Sequence, residues 1–501
     1  MFSNFSRRLA PKSFYINPRV IDAEYAVRGL IPSRADEIKA DLAGGRGSYP
    51  FESLVYCNIG NPQSLGQMPL TFCRQVMALV DAPFLQEDAE IVARLPADAV
   101  SRAREYLAQI GTGTGAYSES FGYQFARAAV AAHINERDHG VGPAATVGDI
   151  CLTDGASVGA KIFLQLLVSG ASDAVMIPIP QYPLYSAQIA LLGGVKAPYY
   201  MREAERWGMK ASDLVASYER CVAESGATPR MLVCINPGNP TGNVLERCVM
   251  EDVLRFCHEH GMLLLADEVY QENVYEAGRK FVSFREVLLG MPAPYCAETM
   301  LVSLHSTSKG VIGECGRRGG YFCMTNLPGA LREQVVKLCS INLCANVNGQ
   351  VMTALMCSPP REGDTSYALY RREYDAIFNG LKERAALLAR ELGAVRGLSC
   401  QPVEGAMYAF PKVELPAGYS ERNEELNAKE GRRLALDARW ALELLESSGV
   451  VVVPGSGFGQ EPGTLHFRTT ILPPHEQMER VVRAIREFQE RIYKRYASGD
   501  E

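Results

Sequence analysis

Four short polar clusters in this chain hold the residue types that proton transfer and ligand binding need. They are Pro178-Ile179-Pro180-Gln181-Tyr182, Asn236-Pro237-Gly238-Asn239-Pro240-Thr241-Gly242, Asp267-Glu268-Val269-Tyr270 and His305-Ser306-Thr307-Ser308-Lys309. An acid, a lysine, amides and hydroxyls brought together can bind a polar ligand and move protons on it. Each cluster alone has a plainer reading: a turn for Asn236 to Pro240, a helix cap for Asp267, a surface charge for Lys309. A fifth stretch, Gly155-Ala156-Ser157-Val158-Gly159, admits two chemistries. It matches the Gly-x-Ser-x-Gly elbow of serine hydrolases, with Ser157 as nucleophile. It is equally a small-residue turn that opens a helix, where free N–H groups and the helix dipole attract a phosphate.

The elements that must position these residues come next. Each of the four clusters follows a short apolar run: Ala174 to Ile177, Leu232 to Ile235, Leu263 to Ala266 and Leu301 to Leu304. Such runs alternating with helical stretches from about residue 105 to 360 predict a doubly wound α/β unit with a mostly parallel sheet. Ligands of such sheets bind beyond the carboxyl ends of the strands, where all four clusters fall together. A helix is expected to begin near Pro32-Ser33, with Ser33 and Asp36 at capping-box spacing and Gly44-Gly45 as its end. Pro359-Pro360 marks a boundary, followed by a helix from Tyr367 to about Leu392. Near the C-terminus a strand is expected over Val450 to Val453. The last helix should bury Met478, Val481, Ile485, Phe488 and Ile492, and the charged stretch from Glu421 to Arg433 should be solvated.

The 501 residues carry 51 Lys+Arg against 57 Asp+Glu, a net charge of −6, which offers no electrostatic reason to expect nucleic acid or an anionic membrane. No apolar run reaches the ~18 residues that span a bilayer. The 14 cysteines include no Cys-x-x-Cys pair, so reduced, buried thiols are expected rather than disulfides or zinc. His258 and His260 do not share a helix face, and no metal site is expected. A cytoplasmic protein fits these features. The basic, acid-free stretch from Met1 to Tyr15 also resembles a short mitochondrial presequence.

Asn-Pro-x-Asn-Pro-Thr-Gly, Asp-Glu-Val-Tyr and Ser-x-Ser-Lys, in this order and spacing, resemble the pyridoxal-phosphate aminotransferases of fold type I, and most nearly the alanine aminotransferase family. Supporting stretches are Glu24 to Gly29, Asn58 to Gln63, Pro180 to Tyr185 and Gly313 to Gly316 with Arg318-Gly319-Gly320. The resemblance runs from about Ile16 to the C-terminal helix. It implies a large domain over 105–364 that binds pyridoxal 5'-phosphate. It implies a smaller α/β domain from 51–104 and 365–501, with an arm and helix over 1–50.

The resemblance also implies roles. Lys309 would hold the cofactor covalently and then shuttle the substrate proton, and Asp267 would keep the pyridine nitrogen protonated. Asn239 and Tyr270 would donate to the phenolic oxygen, with Tyr182 stacked on the ring. The phosphate would meet the amides of Ala156 and Ser157, the hydroxyls of Ser306 and Ser308, and Arg318 in preference to Arg317. Arg468 would clamp the substrate α-carboxylate, with Gly60 and Asn239 beside the substrate. Tyr117 would reach the phosphate of a neighbouring subunit in a homodimer. The implied reaction is reversible amino transfer between L-alanine and 2-oxoglutarate, a glutamate–glyoxylate aminotransferase being the runner-up. Lyase chemistry uses the same lysine in this fold, and a cofactor-bound regulator would need a DNA-binding module that is not apparent. The group that would contact the distal carboxylate of glutamate is not indicated.

Overall fold

The computed structural model describes residues 15–25, 29–431 and 433–496. Its centre is a seven-stranded sheet of β1 (Ile150–Thr153), β2 (Asp173–Ile179), β3 (Val195–Tyr200), β4 (Thr228–Ile235), β5 (Leu263–Asp267), β6 (Leu301–Ser306) and β7 (Gly320–Thr325). The spatial order is β1-β7-β6-β5-β4-β2-β3. Only β7 runs against the others. All four expected runs are strands, and β5, β6 and β7 are buried along their whole length. Continuous apolar strands suit a sheet covered on both faces, where alternation would place polar groups under helices. Register then aligns the strand ends: Ile235 pairs with Asp267, and Asp267 with Leu304.

A second assembly is built from short strands and long helices. Val55–Tyr56 pairs in parallel with Val450–Val451, so the two ends of the chain meet in one small sheet. Phe467–Thr470 lies between Tyr408–Ala409 and Val453–Pro454, antiparallel to both. The expected strand over 450–453 is thus split at Val452 between two sheets. The helix Tyr367–Gly393, 27 residues and about 40 Å long, follows the sheet's last covering helix, Val347–Cys357. The closing helix His475–Tyr496 buries all five of the residues expected of it.

Three features differ from expectation. The early helix spans Leu30–Ala43, and Ser33 is no cap: its hydroxyl donates to the Gly29 carbonyl one turn back. Pro32 lies in the first turn, where a missing N–H costs nothing. The stretch 421–433 is mostly a helix, Ala417–Glu430, not fully solvated: Asn423 and Asn427 are buried and both donate to the Leu434 carbonyl. Within 51–104, Val55 joins the C-terminal part, whereas the helices Thr71–Asp81 and Ala97–Ile110 share a core with Leu152, Tyr321 and Val351 beside the large sheet. All but the last residue of the basic stretch from Met1 to Tyr15, and part of the stretch from Glu24 to Gly29, lie outside the described residues. No described helix is long and apolar enough to cross a membrane.

Ile485 is fully buried in the closing helix, whereas Glu490 on the same helix is exposed. Ile485→Ala is expected to cost about 2–5 kcal/mol through lost burial and the cavity left behind, and Glu490→Ala less than about 0.5 kcal/mol. Urea unfolding midpoints of the two variants against the wild type measure the difference.

Candidate active site

Twelve of the residues singled out from the sequence line one cavity of about 430 Å³ at the carboxyl edge of the large sheet. They are Gly60, Ala156, Ser157, Tyr182, Asn239, Asp267, Tyr270, Ser306, Ser308, Lys309, Arg318 and Arg468. Tyr117 is not among them; it is 76% exposed. Tyr25, Ile59, Asn61, Cys315 and Tyr408 complete much of the wall.

One end of the cavity is a cradle for an anion. The β1–helix turn passes through Gly155 at φ 79, and the helix Ala156–Leu167 then starts without a side-chain cap, leaving its first N–H groups free. Arg318 lies over this turn, its Nη2 donating to the Asp154 carbonyl at 2.9 Å and its Nη1 to the Cys315 carbonyl at 3.0 Å. A Cβ on Gly155 would stand 2.6 Å from that guanidinium, and one on Gly320 would stand 2.8 Å from the Gly155 Cα. Both positions therefore need glycine. The Ser306 hydroxyl donates to the Gly319 carbonyl at 3.1 Å and accepts the Ser308 N–H at 3.1 Å, and Arg318 Nη1 lies 3.5 Å from Ser308 Oγ. Arg317 turns away to Glu314 at 3.9 Å.

Deeper in, the Asp267 carboxylate ends β5. Its Oδ2 accepts from the Tyr185 hydroxyl at 2.7 Å, while Oδ1 is buried with no partner. Burial raises the Asp267 pKa above its ordinary value, against the hydrogen bond from Tyr185 and the charge of Lys309. A cationic ring N–H at Oδ1 would satisfy the orphaned oxygen and reverse that shift. Lys309 reaches across from the end of β6, its Nζ donating to the Gly60 carbonyl at 2.9 Å. Gly60 must be bare, because a Cβ there would stand 2.0 Å from the Tyr408 hydroxyl and 3.0 Å from Lys309 Nζ. The buried Tyr270 hydroxyl accepts from Asn239 Nδ2 at 3.4 Å, and burial holds its pKa well above the ordinary value. Cradle, orphaned carboxylate oxygen and free amine together fit pyridoxal 5'-phosphate.

Arg468 closes the opposite wall. It is 1% exposed, on the strand Phe467–Thr470, and its guanidinium lies 4.1 Å from the Tyr408 ring centre and 4.6 Å from that of Phe458. Nη1 donates to Asn239 Oδ1 at 3.2 Å and Nη2 to the Asn58 carbonyl at 2.6 Å, while Nε has no partner. None of the ion pairs among the described residues involves it. A buried guanidinium that faces a cavity and has no carboxylate paired with it is poised for an anionic ligand.

The hydrolase reading of Ser157 fails on this geometry. Ser157 lines the cavity, but no histidine does. His466 is buried between Gln460 and Glu203, and His475 pairs with Glu479 on the closing helix. Four contributors were not assigned roles from the sequence: Tyr25, Asn58, Tyr185 and Tyr408. Asn58 and Tyr185 stand inside quoted motifs, but their partners Arg468 and Asp267 are 410 and 82 residues away, which no local pattern reveals.

Residues 87–485 match the family described as aminotransferase class I and II. The chain is 47% identical to alanine aminotransferase 2 of Panicum miliaceum, covering 96% of this chain and 98% of that one. It is 46% identical to the mitochondrial alanine aminotransferase 2 of Arabidopsis thaliana (94% and 86% covered). Identity to glutamate–glyoxylate aminotransferase 1 of the same plant is 42%, with 96% of each chain covered. The structure superimposes on an alanine aminotransferase of Pyrococcus furiosus with a TM-score of 0.73 at 21% identity, covering 95% of this chain and all of that one.

Tyr185→Phe should take from Asp267 its side-chain donor, in a site where burial already disfavours the charged form. The Asp267 pKa then rises further, so the acid limb of kcat against pH should move to higher pH. The maximal rate should fall about tenfold, the usual weight of one hydrogen bond to a charged group. An unchanged pH profile would remove Tyr185 from this role.

Proposed function

This chain belongs to the class I and II aminotransferases, and we propose that it moves the amino group of L-alanine to 2-oxoglutarate, reversibly, giving pyruvate and L-glutamate. The observation that carries this reading is the buried Arg468, free of any acid, in one cavity with Lys309 and the orphaned Asp267 oxygen. A carboxylate on Arg468 places the substrate Cα between the clamp and the lysine. The family's cofactor is pyridoxal 5'-phosphate, whose bound ring withdraws the electron pair left when Cα loses its proton.

The chain's own groups do the rest. Lys309 would hold the cofactor covalently until the substrate amine takes its place, and the freed lysine amine would then carry the proton between Cα and the cofactor's C4' atom. Asp267 would hold the ring N–H through Oδ1, kept ionised by the Tyr185 hydroxyl. Asn239 and Tyr270 would donate to the phenolic oxygen, with Tyr182 against the ring. Ala156 and Ser157 amides, Ser306, Ser308 and Arg318 would hold the phosphate. Arg468 binds the α-carboxylate by two parallel N–H donors, which orients the Cα–H bond across the ring plane. Water would release the first substrate as its oxo acid with the amino group retained on the bound cofactor, and the second oxo acid would take that group up with loss of water. The 42% identical glutamate–glyoxylate enzyme supports glyoxylate as an alternative acceptor. The word mitochondrial in the name of the Arabidopsis relative supports that location beside a cytoplasmic one.

Arg468→Lys keeps the charge but loses the fork. It should raise KM for alanine and glutamate alike and lower kcat, a combined loss of kcat/KM of about a hundredfold. Steady-state kinetics with each amino donor and its matching acceptor measure this. Loss confined to glutamate would reassign Arg468 to the distal carboxylate. A wild type that ignores alanine would overturn the substrate reading.

A homodimer in which Tyr117 completes the partner's phosphate cradle is the quaternary reading, supported by the 76% exposure of this tyrosine outside its own cavity. Lys309→Ala and Tyr117→Phe chains, each impaired alone, should then complement when mixed. One site of the heterodimer would carry both defects and the other neither. Heterodimers without recovered activity would exclude the shared cradle.

A further inference from the structure

A site that serves both alanine and glutamate faces a conflict over the second carboxylate. A fixed arginine for it would stand desolvated and unpaired whenever alanine is bound. Among the described residues the cations lining the cavity are Lys309, Arg318 and Arg468, each with a role in the reaction already. At the mouth, however, stands an uncharged donor. The Tyr25 hydroxyl lies 3.0 Å from the Tyr182 hydroxyl. Two hydroxyls carry two protons and only one fills the bond between them, so the second is free to turn toward a ligand or toward water. Burial holds the pKa of Tyr182 well above its ordinary value, so that it keeps its proton.

We propose that Tyr25 is a specificity-determining residue: its hydroxyl, paired with that of Tyr182, donates to the side-chain carboxylate of a dicarboxylic substrate and returns to water when the substrate is alanine. The proposal rests on the aminotransferase reading above and adds the group that receives the distal end of glutamate and 2-oxoglutarate.

The local sequence explains how Tyr25 is brought there. Asn17 caps the short helix Pro18–Asp22 by accepting the Arg19 N–H. Arg19 then reaches the carboxyl end of the helix Pro183–Leu192, its Nη1 donating to the Leu192 carbonyl at 2.9 Å. A cation there also meets the negative end of the helix dipole. Gly193 ends that helix at φ 73, and a Cβ on it would stand 2.5 Å from the Arg19 Cζ. The same helix begins directly after Tyr182. One rigid element thus carries one hydroxyl at its first end and anchors, at its other end, the segment that carries the second.

The test is a single-turnover reaction of the wild-type holoenzyme and of Tyr25→Phe with L-alanine and with L-glutamate separately, followed by loss of the visible cofactor band. No acceptor is present, so each amino acid is read alone. The second-order rate constant for glutamate should fall about tenfold more than that for alanine in Tyr25→Phe, the weight of one hydrogen bond to a carboxylate. Arg19→Ala, which frees the segment without touching the cavity, should shift the ratio in the same direction. Tyr25→Phe removes one exposed oxygen, and retention of the cofactor band checks that the site is intact. Equal losses for the two amino acids, or none for glutamate, would overturn the proposal. A wild type that reacts with glutamate and not with alanine would overturn the substrate reading on which it rests.

Discussion

The register of the parallel strands is the constraint on which the site depends. Ile235, Asp267 and Leu304 stand side by side, and the backbone bonds continue past the strand ends: Asn236 N–H donates to the Asp267 carbonyl and Glu268 N–H to that of Leu304. A slip of one residue in any pair would turn Asp267 to the opposite face of the sheet, because side chains alternate. Burial of whole strands is what prevents such a slip. The apolar core under the helices therefore determines where a carboxylate, a lysine and two serines meet, although none of them contributes to that core.

A second constraint is the cost of charges kept out of water. Arg468 is buried with no acid beside it and Asp267 with one oxygen unpartnered, while the half-buried Lys309 amine bonds only to a carbonyl. Burying an uncompensated charge is costly, and the rest of the site lowers that cost with neutral dipoles and ring faces. Asn239 and the Asn58 carbonyl receive two of the Arg468 donors while Tyr408 and Phe458 cover its faces; Tyr185 serves Asp267. Any carboxylate in these positions would have satisfied the arginine and closed it to substrate. The unsatisfied state is what the ligand relieves.

Much of this was legible in the sequence, for reasons particular to each residue. Asp267 and Lys309 follow apolar runs closely, so strand and chemistry are read together, and Arg318 directly precedes the pair Gly319-Gly320. The long helix from Tyr367 and the apolar stripe of the closing helix are plain from periodicity. Strands β3 and β7 are harder to read, because an edge strand holding Lys196 and Pro198 and a run opening on Gly320 each weaken the pattern. Tyr408 sits on a strand of two residues, below any period. Ser33 has the spacing of a cap but bonds backward, a choice made by where Gly29 turns the chain. The helices over 71–110 go with the large sheet by the shape of the core they fill, which sequence order does not carry.

The glycines at the site show why its tolerance is set by contact distances more than by chemistry. Gly60 lies between the Tyr408 hydroxyl and the lysine amine, so the carbonyl that holds Lys309 can approach only because nothing projects from its Cα. Gly155 and Gly320 let two backbone turns touch under Arg318, which is how the free N–H groups of a helix and a guanidinium come to face one point. Gly193, remote from the reaction, plays the same part for Arg19. In each case a cation is held close to backbone by the absence of a side chain. At Arg318, close approach to carbonyl dipoles steadies the cation without an acid to neutralise it, and its charge stays available to a bound anion.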